Sequence, residues 1–326
     1  MNEQKDETGS KGNFHSLRTV FCGTPDFAVP TLKAMIASEY RPVLVVTQPD
    51  RPRGRGQRFA PTPVKEVALE AGLPIHQPER FNSEDNLALL RETGADAAVV
   101  VAYSAKIGNR ALSLFPQGWL NLHPSLLPAY RGAAPMQWAL INGETRTGLT
   151  TFFLNEEWDA GPICLQREIE IRPDEDYGAL SDRCAHEGAA LVIESLRAVQ
   201  AGAVVKKPQD DRAATFAPLL KPEDSIIDWN ASAERIHNRV RGLSPRPGAS
   251  TEFRGKRVLL VRTEPVEHDS SGAVPGRVAR AGGEGLLVET ALGWLRIDRL
   301  QPENRSVIAG IDFVNGYRVE VGDQFG

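Results

Sequence analysis

The stretch "DAAVVVA", residues 96–102, reads as a strand covered on both faces, and the fold of the first half follows from its flanks. Three consecutive valines between small residues leave no polar face for solvent, as in the strands of parallel sheets. Shorter apolar runs precede it: "LRTVFCG" from Leu17, "PVLVVT" from Pro42 and a weaker "LPIHQ" from Leu73. Amphipathic segments "FAVPTLKAMIAS", "TPVKEVALEAG" and "SEDNLALLRETG" separate them. The last starts at Ser83 before two acids and stops at Gly94, a normal pair of helix boundaries. After residue 102 come a short helix near "KIGNRALSLF" and a strand "GWLNLH". Two strands, "LTTFFLN" and "ICLQREIEI", are joined by the turn "EEWDAGP", and a long helix "YGALSDRCAHEGAALVIESLRAVQAG" closes the half. Buried runs alternating with helices predict a doubly wound, mostly parallel α/β sheet over residues 17–203. Ligands of such sheets collect beyond the carboxyl ends of the strands.

The pattern changes after Gly202. The segment "VVKKPQDDRAATFAPLLKPEDS" carries three prolines and little periodicity, so residues 204–222 read as a linker. From 223 to 326 a helical piece "SAERIHNRVRGL" precedes strand-like runs "KRVLLVRTEPV", "GRVARAG", "GLLVETALGWLRIDRL" and "FVNGYRVEVGD". Short strands punctuated by Gly and Pro predict a small β-barrel or sandwich. The first 16 residues, "MNEQKDETGSKGNFHS", are polar and read as a disordered leader.

With 326 residues, 41% hydrophobic and 25% charged, the chain has the make-up of a two-domain globular protein. No apolar run approaches the ~20 residues of a membrane span, so no membrane association is expected. Cys22, Cys164 and Cys184 are scattered, as expected of small buried hydrophobes in a reducing, cytoplasmic compartment. The six histidines are far apart in sequence, and no metal site is indicated. A net charge of −4 argues against a polyanion-binding surface over the whole protein, but not against local basic ones.

One stretch places polar groups inside an apolar strand: "LNLHPSLLPAYRG", residues 120–132. Alternation puts Asn121 and His123 on one side of the extended chain. A side-chain amide can donate to an oxyanion forming on an attacked carbonyl, and an imidazole can take a proton from an amine near neutral pH. With a carboxylate such as Asp159 to orient the ring, these are parts for moving an acyl group onto an amine. Spacing alone is a weak signal, and an Asn and a His where a strand runs out into a loop are more often structural. In the loop that follows, Pro124 and Pro128 fix the backbone around Leu126 and Leu127, a stiff apolar lip suited to a flat heteroaromatic ligand or to covering the core.

At this point the sequence resembles a known family. "NLHPSLLPAYRG" is similar to the signature of enzymes that use 10-formyltetrahydrofolate as formyl donor. "FCGTPDFAVPTL", "VTQPDRPRGRGQ" and "GAAPMQWALINGE" extend the likeness to the branch of that family that formylates methionyl-tRNA, over nearly the whole chain. The resemblance implies a Rossmann-like formyltransferase domain over 17–203 and an OB-like, tRNA-binding barrel over 223–326. It implies Asn121, His123 and Asp159 as the catalytic trio, and Ser125, Leu126, Leu127 and Pro128 as the folate-binding loop. It also implies 10-formyltetrahydrofolate as co-substrate, initiator methionyl-tRNA as partner, and a monomer supplying N-formylmethionyl-tRNA for translation initiation. The family's segment around the aspartate usually reads like "LDTGDI", whereas here Ala160 and Pro162 replace a hydroxyl and a carboxylate. The family's "AYG" and the apolar run after it appear here as "AYSAKIGN".

Two basic tracts suit a tRNA. "RPRGRGQR", residues 51–58, holds Arg51, Arg53, Arg55 and Arg58 with no acid, and reads as an exposed, mobile loop. The tract from Arg235 to Arg262 includes Arg239, Arg241, Arg246, Arg254, Lys256 and Arg257, with Glu252 as its sole acid. The donor signature also serves enzymes that formylate amino sugars or glycinamide ribonucleotide, and a non-catalytic tRNA-binding relative would keep the fold. A dinucleotide-dependent oxidoreductase is disfavoured, because the first turn "CGTPDF" lacks G-x-G-x-x-G.

Overall fold

A computed structural model of the chain describes residues 16–53, 58–283 and 285–326. The expected leader, Ser16 apart, therefore lies outside the described residues. In chain order the first half contains β1 (Thr19–Gly23), α1 (Val29–Ile36), β2 (Pro42–Val46), β3 (Arg51–Arg53), β4 (Arg58–Ala60), α2 (Pro63–Glu70), β5 (Ile75–His76) and α3 (Glu84–Glu92). Next are β6 (Ala97–Val101), α4 (Asn109–Leu112), β7 (Trp119–His123), α5 (Pro135–Ile141), β8 (Arg146–Phe153), β9 (Ile163–Glu170) and α6 (Tyr177–Gln200).

Seven strands form one sheet in the order β5-β2-β1-β6-β7-β8-β9. The first five run parallel, while β8 pairs antiparallel with β7, and β9 with β8. Side-chain alternation divides the sheet between two cores. Phe21, Val45, Val99, Val101, Leu120 and Leu122 pack on one face with α1, α2 and α6. Val20, Cys22, Leu44, Val46, Val100 and Trp119 pack on the other with Leu87 and Leu90 of α3 and Ala111 of α4. The run 96–102 is continuously apolar because both faces need filling. Burial also pushes the Cys184 thiol up to about 12, in keeping with an inert packing role.

The second half contains α7 (Ala233–Leu243), β10 (Ala249–Phe253), β11 (Lys256–Val266), β12 (Val278–Gly282), β13 (Gly285–Glu289), β14 (Trp294–Pro302), β15 (Ile308–Ala309) and α8 (Gly310–Tyr317). The strands make an antiparallel sheet ordered β10-β11-β14-β13-β12, with β15 on β14. The last residues tie its two edges together: Val278 N–H donates to Asp323 O, Phe325 N–H to Gly276 O, and Gly326 N–H to Glu252 O. Phe325 and Phe313 are fully buried within this OB-like barrel.

One expected strand is corrected. In "FVNGYRVEVGD", residues through Tyr317 are helical, the C-terminal part of α8. Phe313 and Tyr317 stack at 4.4 Å between ring centroids, an i,i+4 pair that only a helix brings together. The β-branched valines fit either conformation, and packing against the barrel selects the helix. The linker reading of 204–222 also needs refinement. Among its described contacts are Ile163–Lys207 and Arg131–Phe216 β-bridges, so the segment is strapped across the first domain.

Candidate active site

Strand β7 ends in the polar pair. Its side chains alternate across the sheet as expected, with Leu120 and Leu122 in one core and Asn121 and His123 on the opposite side, although every residue of the strand except Asn121 is buried. Asn121 is half-buried, and its side-chain amide has no hydrogen-bond partner among the described residues. His123 is 5% exposed. Its Nε2 lies 2.9 Å from the Tyr130 carbonyl oxygen, which can only accept, so Nε2 carries the hydrogen. The other nitrogen, Nδ1, faces Asp159 Oδ2 at 3.7 Å. That separation exceeds a hydrogen bond but places a carboxylate where an imidazolium would be stabilised.

Asp159 comes from the turn between β8 and β9 and is 9% exposed. Its backbone is left-handed, φ 51°, as is that of Tyr130 at φ 58°. Such residues need outside support, and both have it. Asp159 Oδ2 accepts from Gly132 N–H at 2.8 Å, and Asp159 O accepts from Gln209 Nε2 at 2.8 Å. Neither support comes from residues 160 or 162, so the changes to Ala160 and Pro162 leave the aspartate's hold intact. Tyr130 Oη donates to Glu144 at 2.6 Å, and burial, then this bond, push its pKa up to about 12. Gly161 is required sterically: a Cβ there would lie 1.8 Å from Phe153 O. Gly161→Ala is expected to lower stability by about 1–3 kcal/mol through overpacking. An unchanged denaturation midpoint would show that the turn can yield.

The expected folate loop is built more inwardly than its sequence implies. Leu127–Pro128 is a cis peptide. Ser125 and Leu127 are buried. Ser125 Oγ donates to Ala129 O at 2.6 Å, Thr150 Oγ1 to Ser125 O at 2.7 Å, and Gln166 Nε2 to Leu127 O at 2.8 Å. Leu127 packs with Phe152 and Ile163 in a small core of its own. Leu126 and Pro128 are partly open, and Leu126 lies over Gly148. The cavity beside the candidate trio is lined elsewhere: by Val100, Asn121, Tyr103 and Ala105 to Ile107 after β6, and Leu154 to Asp159 after β8. Residues 125–128 do not line it, because their polar groups are spent holding the loop to β8 and β9. The sequence reading missed Tyr103, whose buried hydroxyl has no partner among the described residues, and Trp158, 63% exposed beside Asp159. A tyrosine in a loop next to an apolar strand carries no signal by itself. A larger cleft of about 1090 Å³ lies between the domains, away from the trio. Its lining holds four arginines against seven carboxylates, so it is a poor cradle for a polyanion.

The basic candidates divide. The tract 51–58, expected to be a loop, begins and ends in a two-stranded ribbon with Arg51 opposite Ala60 and Arg53 opposite Arg58. Arg51 is exposed, Phe59 beside it is 75% exposed, and Arg55 lies outside the described residues. In the second tract, Arg239 donates to Asp224 O at 2.6 Å. Arg241 is half-buried and donates to Arg172 O and Glu175 O, both at 3.2 Å, which joins α7 to the first domain. Burial draws its pKa below the usual guanidinium value. Arg254 pairs with Asp323 at 2.7 Å and covers the Phe253 ring. Arg246, Lys256 and Arg257 are exposed and make no ion pair among the described residues. They do not form one spot, since Arg246 precedes β10 while Lys256 and Arg257 follow it. At ~3.4 Å per residue that strand separates them by roughly 14 Å.

A conventional metal site is also absent: among the described residues no group of three His, Cys, Asp or Glu could hold an ion. No described helix is long and apolar enough to cross a membrane.

Comparison with known proteins agrees with both halves of this architecture. Residues 17–196 match the family described as formyl transferase, and residues 219–318 match the formyl transferase C-terminal domain. A methionyl-tRNA formyltransferase of Solibacter usitatus (strain Ellin6076) is 46% identical over 310 residues, covering 95% of this chain and 99% of the relative. One of Heliobacterium modesticaldum (strain ATCC 51547 / Ice1) is 42% identical over 318 residues, covering 95% and 100%. Among solved structures, HypX from Aquifex aeolicus in complex with tetrahydrofolic acid matches with a TM-score of 0.62 at 19% identity, over 95% of this chain and 49% of HypX. WlaRD, a sugar 3N-formyl transferase, matches at 0.64 and 14% identity, over 90% and 100%. These two likenesses concern the fold alone. With both domains matched in order and relatives above 40% identity along nearly their full length, the chain belongs to the methionyl-tRNA formyltransferase family.

Proposed function

We propose that this protein transfers the formyl group of 10-formyltetrahydrofolate to the free α-amino group of methionyl-tRNA, with Asn121, His123 and Asp159 as the catalytic groups. The observation that carries the site assignment is an unpartnered Asn121 amide in the cavity that Asp159 also lines, with His123 Nδ1 3.7 Å from that carboxylate. The same cavity, about 50 Å³, admits at most one edge of the donor until its walls move apart. Val100, Ile107 and Leu154 supply apolar walls, and the orphaned Tyr103 hydroxyl supplies a buried polar group in need of a partner.

The amine nitrogen bonds to the formyl carbon, and the bond from that carbon to the donor nitrogen breaks. Asn121 donates to the carbonyl oxygen as it gains negative charge. Model α-amino groups titrate at ~7.7–8.0, so much of the substrate is protonated at neutral pH and must lose a proton first. That first proton goes to solvent; the second, shed by the amine nitrogen as it bonds to the formyl carbon, goes to His123 Nδ1, the nitrogen without hydrogen in the tautomer that Tyr130 selects. Asp159 stabilises the resulting cation, and the proton becomes available to the departing donor nitrogen. Residues 125–128 support this arrangement from behind, and Arg51, Arg53, Arg55 and Arg58 together with Arg246, Lys256 and Arg257 meet the phosphates.

The test incubates purified protein with 10-formyltetrahydrofolate and methionyl-tRNA, with glycinamide ribonucleotide and an amino sugar nucleotide as competing acceptors. Formyl label is expected in the tRNA fraction. Label in either small acceptor alone would overturn the choice of acceptor, and label in none would overturn the reading as an enzyme. Arg53→Ala with Arg55→Ala is expected to raise KM for methionyl-tRNA and to flatten its log–log salt dependence by about 2, near one per lost phosphate contact. Donor binding should be unchanged, and equal loss of both would refute this division of labour.

A further inference from the structure

We propose that Gln209, in the segment between the two domains, is a positioning residue that holds Asp159 against His123; this rests on the role given to Asp159 above. Along residues 205–213 every residue except Gln209 is exposed. Gln209 turns inward, and its amide is fully used. Its Nε2 donates to Asp159 O and Gly161 O, each at 2.8 Å. Its Oε1 accepts from Arg131 Nε at 3.0 Å and Nη2 at 2.8 Å. Carbonyls only accept and guanidinium only donates, so one orientation of the amide satisfies all four bonds. Arg131 is 7% exposed and also pairs with Asp211 at 2.8 Å.

The result is a closed loop of contacts. Arg131 adjoins Gly132, whose N–H binds the Asp159 carboxylate, while Gln209 joins the Arg131 side chain to the Asp159 carbonyl. Asp159 is thus held at both ends, which its left-handed backbone requires. The same segment fastens the other side of the site. Thr215 O accepts from Arg131 N–H, Ala217 N–H donates to Arg131 O at 2.7 Å, and Ala217 is fully buried. A Cβ on Gly132 would meet Ala217 O at 2.5 Å, so strap and loop are in direct backbone contact. The interdomain segment is therefore part of the active-site frame.

Two variants of the full chain separate positioning from simple anchoring. Gln209→Glu keeps an acceptor for Arg131 but loses the donors to residues 159 and 161, whereas Gln209→Leu loses both. Both are expected to lower kcat by about 10–100-fold, as for a misplacement of ~1 Å at a reacting group. KM for either substrate should stay within about twofold, because neither variant touches substrate. Gln209→Glu at wild-type kcat would overturn the proposal. Hydrogen exchange at the Gly132 amide decides it without reference to turnover. Protection there should fall in Gln209→Glu while protection within β7 is retained, and unchanged protection at Gly132 would overturn the proposal even if the wild-type chain transferred no formyl group.

Discussion

Asn121→Ala is expected to lower kcat by roughly 10²–10³, equivalent to about 2.7–4 kcal/mol, the range for removing one donor from an oxyanion site. The expectation follows from what the amide does in the folded protein, which is nothing structural. Its backbone is held by β6 and β8, Asn121 lying opposite Val100 and Phe152. The side chain has no bond to lose among the described residues. Truncation should therefore leave the thermal midpoint close to wild type and remove only an interaction that grows as charge develops on the formyl oxygen. KM for both substrates should change little, since a neutral carbonyl accepts only weakly. Single-turnover rates with saturating donor and methionyl-tRNA measure the effect. A rate within threefold of wild type would eliminate Asn121 as the oxyanion donor.

His123→Gln is the second large effect, an expected loss of about 10²–10⁴ in kcat on the scale of general acid–base catalysis. Glutamine can place an N–H near the position of Nε2 and so keep a donor for Tyr130 O, but it has no basic nitrogen to face Asp159. His123→Ala is a poorer probe, because it also removes the donor from the part-buried Tyr130 carbonyl. The pH–rate profile supplies the decisive readout. If His123 accepts the amine proton, Gln removes its limb from the kcat profile, and the remaining dependence follows the amine alone. A full-sized limb persisting in a slowed enzyme would move the base elsewhere, with Asp159 the nearest carboxylate.

The first domain was readable because its strands are short, apolar on both faces and separated by amphipathic helices. The antiparallel direction of β8 and β9 was not decided by their composition, since antiparallel and parallel partners bury similar side chains. For β8 it is set by the connection through residues 124–145 and α5, and for β9 by the tight return at residues 154–162, where Gly161 passes against Phe153 O. In the second domain, residues 313–317 carried a strand-like composition into a helix, because the aromatic pair Phe313 and Tyr317 packs on the barrel with a spacing of four.

Sequence by itself determined the α/β sheet, the change of composition near residue 204, and the placement of Asn121 and His123 on one side of β7, since strand alternation is a local property. Tertiary structure alone decided that Asp159 reaches His123 across 36 positions of sequence, that the Ser125–Pro128 loop turns its polar groups inward, and that Arg241 and Arg254 are held by protein partners. It also decided that Gln209, in a stretch without periodicity, closes the frame of the site. The reason is physical: local patterns record which face of an element is apolar, whereas the partner of a buried amide, carboxylate or guanidinium is set by whichever distant backbone group the fold brings within hydrogen-bond reach.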